Sequence, residues 1–170
     1  MAAEFSMDGF SFQYPPTWDL AVLAEGANVA RGCGGGFWAV SATITGEGYV
    51  SVSRCPSTFK FPPKGQSLEQ ALRQELEARR RSDLTSIVEF QGDELGGIPG
   101  IGGTVTLDPE EASAFGIDGG ADGLIMRGAD GSGAIGGKPD IYEVVCLWTL
   151  DGPGQVGQGC AEIISSFQFD

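Results

Sequence analysis

The chain has no histidine among its 170 residues. That removes the imidazole general base, the Ser-His-Asp triad and almost every zinc site built on imidazole ligands. Bases are nearly missing from the second half: residues 82–170 carry Arg127 and Lys138 against fifteen acids, whereas residues 1–81 carry eight of each. The net charge of -13 excludes a phosphate-gripping nucleic-acid surface, which needs Lys and Arg, and disfavours an anionic membrane face. None of the four cysteines, Cys33, Cys55, Cys146 and Cys160, stands in a Cys-x-x-Cys pair, which argues against a zinc ribbon or a thioredoxin-like site. No apolar run approaches the ~20 residues that cross a bilayer. The start lacks a basic segment followed by a long apolar one, so the chain reads as cytosolic or already processed, with residues 1–6 a flexible N-terminus or tag remnant.

What is present suffices for one domain: 41% of residues are hydrophobic, with ten Phe and three Trp. In Asp8-Gly9-Phe10-Ser11-Phe12-Gln13-Tyr14-Pro15-Pro16-Thr17-Trp18 the aromatics alternate with Ser11 and Gln13, which predicts a half-buried strand stopped by two prolines. Asp19–Leu23 is a second strand candidate. Phe37–Ile44 and Tyr49–Cys55 flank a glycine turn and predict a hairpin. Ser67 and Gln70 form a capping box opening a helix over residues 67–81, with Leu68, Leu72 and Leu76 on one face. Arg79, Arg80 and Arg81 then sit at its carbonyl end, where cations are favoured without any binding role. Leu84–Phe90 and Thr104–Leu107 read as strands around a turn at residues 96–103. Ile141–Leu150 is the most apolar run and predicts a central strand covered on both faces. Val156–Ser165 predicts a helix, and Phe167–Phe169 a closing strand. Trp18, Trp38 and Trp148 read as core.

Residues 108–140 differ in texture, with seven acids, two bases, many glycines and few apolar anchors. They read as a Gly/Asp-rich insertion projecting from a hairpin. Here lies the one metal candidate, a loose calcium set of Asp118, Asp122 and Asp130. Asp118, Asp122 and Gly123 match the calcium-loop spacing, while Gly120 stands at a ligand position and no glutamate closes the loop. A solvated loop is the alternative. Two Gly-x-Gly-x-x-Gly spacings, at residues 131–136 and 152–157, lack the strand before them or the second βα unit after them that dinucleotide binding needs. Paired carboxylates at Glu75 and Glu77 or at Glu110 and Glu111 have no apolar pocket to raise a pKa. No catalytic residues are assigned, and no cofactor beyond that calcium. The cysteines pair as Cys33–Cys55 and Cys146–Cys160 in an oxidising compartment, or remain free buried thiols.

The order of these elements, from the aromatic Asp8–Trp18 motif to the closing Ile163-Ile164-Ser165-Ser166-Phe167-Gln168-Phe169, resembles the PsbP-like family of extrinsic photosystem proteins in the thylakoid lumen. The resemblance covers nearly the whole chain except residues 108–140. It implies an α+β fold with an antiparallel β-sheet sandwiched between helices, as a single domain over residues 7–170. It also implies a non-enzymatic extrinsic subunit or assembly factor, binding other subunits of a photosynthetic membrane complex, peripheral to the membrane and lying in the chloroplast thylakoid lumen. The same fold serves a Ran-binding nuclear-transport factor and bacterial secreted lipoproteins. A GTPase-binding adaptor of the cytosol or nucleus and a periplasmic ligand-binding domain are therefore the alternatives. The acidic second half is the expected contact surface, and the expected insertion its contacting element.

Overall fold

The most apolar run of the sequence lies at the centre of the larger of two sheets. The computed structural model describes residues 1–7, 10–23, 38–56, 70, 74, 87–130 and 140–169. Seven strands form one antiparallel sheet: β3 (Ala21–Leu23), β4 (Trp38–Ile44), β5 (Gly48–Pro56), β6 (Ile87–Leu95), β7 (Ile98–Leu107), β8 (Ala121–Asp130) and β9 (Asp140–Thr149). Their spatial order is β3-β4-β5-β9-β8-β7-β6, so β9 is the middle strand. Every residue of β9 from Tyr142 to Leu147 is buried, as expected of a strand covered on both faces. A second antiparallel sheet joins β1 (Ala3–Met7), β2 (Phe10–Tyr14) and β10 (Gln168–Phe169) in the order β1-β2-β10. Two helices have both ends described, α1 (Pro109–Ser113) and α2 (Gly154–Ser166). This is an α+β fold built on antiparallel sheets.

Side chains alternate across each strand, and the register assigns the faces. Val50, Val52, Met126, Val144 and Cys146 share one face of the large sheet and join a core with Phe10, Phe12, Val156, Cys160, Ile163 and Phe167. The small sheet and α2 therefore cover that face. A disulfide between Cys146 of β9 and Cys160 of α2, with Cα atoms 6.2 Å apart, ties the helix to the middle strand. Of the two pairings expected, this one is present. Cys33 lies outside the described residues.

Aromatic residues join the two sheets. Phe167 stacks on Phe10 at 5.5 Å and on Phe12 at 6.0 Å between ring centroids. Tyr142 of the large sheet meets Phe167 edge-on at 6.1 Å and Phe169 at 4.9 Å. Pro15 and Pro16 stop β2 as expected, through a turn in which the Trp18 amide donates to the Pro15 carbonyl at 3.0 Å. β10 then pairs β2 at Gln168↔Ser11 and Phe169↔Phe10. In that register residue 166 falls opposite Gln13, yet its backbone still belongs to α2. The Ser166 hydroxyl substitutes for the missing strand, accepting from the Gln13 amide at 2.7 Å and donating to the Glu162 carbonyl at 2.6 Å.

Three expectations are corrected. Residues 1–6 are not a loose terminus, because Ala3–Met7 pairs with β2 and Phe5 stacks on Phe12 at 5.2 Å. The turn expected over residues 96–103 shrinks to Gly96-Gly97, both at positive φ (61° and 83°), the conformation of a two-residue hairpin turn that favours glycine. Strand β7 then runs directly through Gly100, Gly102 and Gly103. Finally, residues 108–130 are not part of an insertion projecting from a hairpin; residues 131–139 lie outside the described residues. Ala121–Asp130 is an interior strand paired with β7 on one side and β9 on the other. Of the helix expected over residues 67–81, Gln70 and Gln74 are described and helical; the remainder lies outside the described residues.

Replacing both Cys146 and Cys160 with Ala is expected to lower the unfolding free energy by about 3 kcal/mol, the chain-entropy value for a loop of ~15 residues. Urea unfolding reads this as a lower free energy extrapolated to water, with a larger m-value because the unfolded chain expands without the cross-link. An unmoved midpoint would show that the disulfide does not hold α2 in place.

Candidate functional site

The register gathers three connections at one end of the large sheet. Ala121 lies opposite Thr149 and Gly48 opposite Trp148. The β4–β5 turn, the β7–β8 connection and the β9–α2 turn therefore share one pole. They supply Glu47, Asp108, Glu110, Glu111, Asp118 and Asp151, and neither Lys nor Arg occurs in any of the three. The described bases Arg54 and Arg127 sit toward the opposite ends of their strands. Like charges gathered this way project a negative field that a basic surface would meet favourably.

Local chemistry fixes the pole's shape. Asp108 caps α1 by accepting from the Glu111 amide at 2.8 Å, while the Glu111 carboxylate accepts from the Asp108 amide at 3.1 Å. With Pro109 in the first turn this is a reciprocal capping box. Ala112 and Ile117 are buried, and Phe115 packs on the Tyr49 ring at 5.2 Å, so the connection is seated on the sheet. A groove of about 630 Å³ lies between Glu47, Asp118, Thr149 and Asp151, with Ile117 and the 59% exposed Leu150 as its apolar lining. Oε2 of Glu47 is sealed from solvent without a hydrogen-bond partner among the described residues.

A second groove of about 680 Å³ runs between the Pro15–Trp18 turn and α2. Its lining includes Gln13, Gln155, Gln158, Glu162 and Ser165. Gly159 sits on its floor against Trp18. A Cβ there would overlap the indole ring and come within 2.8 Å of Pro15 Cγ, so only glycine allows the turn to seat on the helix.

On the sheet face turned away from α2, Arg127 of β8 stands opposite Glu143 of β9. Its Nε and Nη2 donate to Glu143 Oε2 at 2.9 and 2.6 Å, and both residues are buried. Such a pair is costly to form but far costlier to break singly. The Tyr49 phenol is pushed above its ordinary value of 10.0 chiefly by burial; hydrogen bonds to Ser51 and Ser41 oppose the shift and the Glu143 charge adds to it.

The three aspartates of the calcium expectation are not brought together. Asp118 lies exposed in the connection, and Asp122 and Asp130 stand near opposite ends of β8, ~26 Å apart at 3.3 Å per residue. The Asp122 carboxylate accepts instead from the Thr106 hydroxyl at 3.2 Å. No group of three or more potential metal ligands occurs among the described residues. Gly152–Gly157 sits where β9 enters α2, but α2 leads into the other sheet, so no dinucleotide-binding unit forms. Residues 131–136, Glu75, Glu77 and Arg79–Arg81 lie outside the described residues. Trp18 is core, as expected, and Trp148 packs half-buried against it. The sequence reading missed the seated connection at the pole. Its signal was Asp108-Pro109-Glu110-Glu111, a capping box with proline at the first helical position.

No family model matches the chain, and no curated protein matches it. Among solved structures, the fold is similar to the solution structure of cyanobacterial PsbP from Synechocystis, with a TM-score of 0.51 and 14% identity over 99% of this chain and 92% of that one. At that identity the likeness establishes a shared PsbP-like fold. No described helix is long and apolar enough to cross a membrane.

Arg127→Met is expected to cost about 3–5 kcal/mol by leaving Glu143 buried without its guanidinium; in chemical denaturation, a loss under 1 kcal/mol would mean the pair is solvated. The raised Tyr49 pKa gives a signed pH effect. The folded state holds the phenolic proton more tightly than the unfolded one, so its contribution is complete below pH ~10 and is lost as pH rises through the folded value. Tyr49→Phe should flatten that alkaline decline, as read from urea midpoints between pH ~9 and ~11.

Proposed function

We propose that this chain is a non-enzymatic extrinsic subunit or assembly factor of a photosystem, held at the lumenal face of the thylakoid membrane. In this reading its acidic pole docks on a basic surface of the membrane complex. The observation that carries the reading is the pole itself, six carboxylates on three converging connections without a base, borne on a PsbP-like fold. The Cys146–Cys160 disulfide supports an oxidising compartment such as the lumen over a cytosolic or nuclear adaptor role, since structural disulfides are rare in reducing compartments.

The test is rebinding of the purified chain to photosynthetic membranes stripped of their extrinsic proteins. Retention is expected at low salt and release as the Debye length falls below ~8 Å, above physiological ionic strength. Replacing Glu110, Glu111 and Asp118 by their amides should weaken retention at least about tenfold, since rim charges act chiefly on association. No retention at low salt, or retention indifferent to both salt and these substitutions, would refute the reading.

A further inference from the structure

We infer that the groove along α2 is a binding site for an extended polypeptide segment with a neutral polar body and a basic end directed at the acidic pole. The inference deepens the docking reading above by naming the kind of segment the partner presents. Four features of the groove and its surroundings support it.

The first is shape. Gln155, Gln158, Glu162 and Ser165 recur at intervals of three and four, so they form one stripe along the helix. From Gln155 to Ser165 that stripe is ~15 Å long at 1.5 Å per residue, the length of about four to five residues of extended chain at 3.3 Å each. The second is rigidity. Both walls are fixed before anything binds, because Trp18 seats on Gly159 and the Ser166 hydroxyl holds the Gln13 amide at 2.7 Å. A preformed groove spares its ligand the cost of ordering it.

The third is chemistry. Gln13, Gln155, Gln158 and Ser165 are all exposed. Each can donate and accept at once, which matches the alternating N–H and C=O groups of an extended peptide. Glu162 is the only charged residue of α2, and among the described residues no Lys or Arg lines the groove to hold an anion. A helix with one charge in thirteen residues contrasts with the rest of the acidic half, and depletion of charge marks the inner part of protein interfaces. The fourth is continuity. Gln155 follows Asp151 and the exposed Leu150 by a few residues along the chain, so the α2 N-terminal end of the groove lies toward the same end of the sheet as the pole. A basic group at that end of a bound segment meets Asp151, and its aliphatic stem meets Leu150. Charge complementarity thus sets the polarity of the ligand.

The test uses the isolated chain and two pools of synthetic heptapeptides randomised among Ser, Thr, Asn, Gln and Ala, one ending in Lys-Lys and the other in Glu-Glu. The side-chain amide signals of Gln13, Gln155 and Gln158 are followed by NMR. With the lysine-ended pool these amides are expected to shift saturably, with no matching shift for the glutamate-ended pool. Gln158→Trp, at an exposed position that fills the groove, should lower the affinity at least about tenfold with the remaining spectrum unchanged. Three outcomes overturn the inference: no shift at these amides with either pool, equal shifts with both, or shifts that survive Gln158→Trp. Since no membrane is present, a failure here is distinct from a failure of the photosystem reading, which rests on rebinding to stripped membranes.

Discussion

Phe167 is the contact through which the two ends of the chain reach the middle of the molecule. Its ring stacks on Phe10 and Phe12 from the N-terminal hairpin and meets Tyr142 of the central strand. Each such pair contributes roughly 0.5–1.5 kcal/mol beyond the area it buries. Because Phe167 directly follows α2, the stack also fixes where the helix ends, and the Cys146–Cys160 bridge fixes its middle. The small sheet, the helix and the large sheet thus share one aromatic cluster within a common core, and one covalent link ties the helix to the central strand. The Ser166 hydroxyl occupies the step between helix and strand, where it accepts from the Gln13 backbone amide.

Both grooves follow from that assembly. Seating the Pro15–Trp18 turn on Gly159 leaves a channel along the outer face of α2, and anchoring β9 at the centre brings three connections to one pole. The scaffold residues of the opening motif carry no chemistry of their own. They position a polar groove with a single carboxylate, Glu162, toward the same end as an acidic pole. The charge asymmetry of the sequence thus becomes a spatial one, with Asp108, Glu110, Glu111, Asp118 and Asp151 all from the second half.

Much of the scaffold was legible in the sequence because its signals are local. Alternation marked β2, the glycine turn marked the β4–β5 hairpin, and an uncharged apolar run marked β9. The α+β fold followed from the family resemblance that their order carries. What escaped was set by tertiary context. In β8, Asp122, Gly123, Gly128 and Asp130 dilute the pattern, and the strand has both faces covered, Leu124 and Met126 on one and Ile125 and Arg127 on the other. An arginine at such a place looks like a loop residue until Glu143 is found across the ladder. The glycines of β7 imitate a loop because their close neighbours are invisible along the chain, as where Met126 Sδ would stand 3.3 Å from a Cβ at Gly102. The calcium set failed for a related reason: spacing that suits a loop becomes ~26 Å of separation once the segment is a strand.

The central claim is that the acidic pole is the face that meets the membrane complex. Zero-length carboxyl–amine cross-linking of the chain rebound to photosystem membranes, followed by peptide mapping, tests it most directly. The account predicts bonds from Glu110, Asp118 or Asp151 to lysines of a single membrane-complex subunit, lost at high salt. Cross-links confined to carboxylates elsewhere on the chain, with the pole unmodified in the bound state, would contradict it.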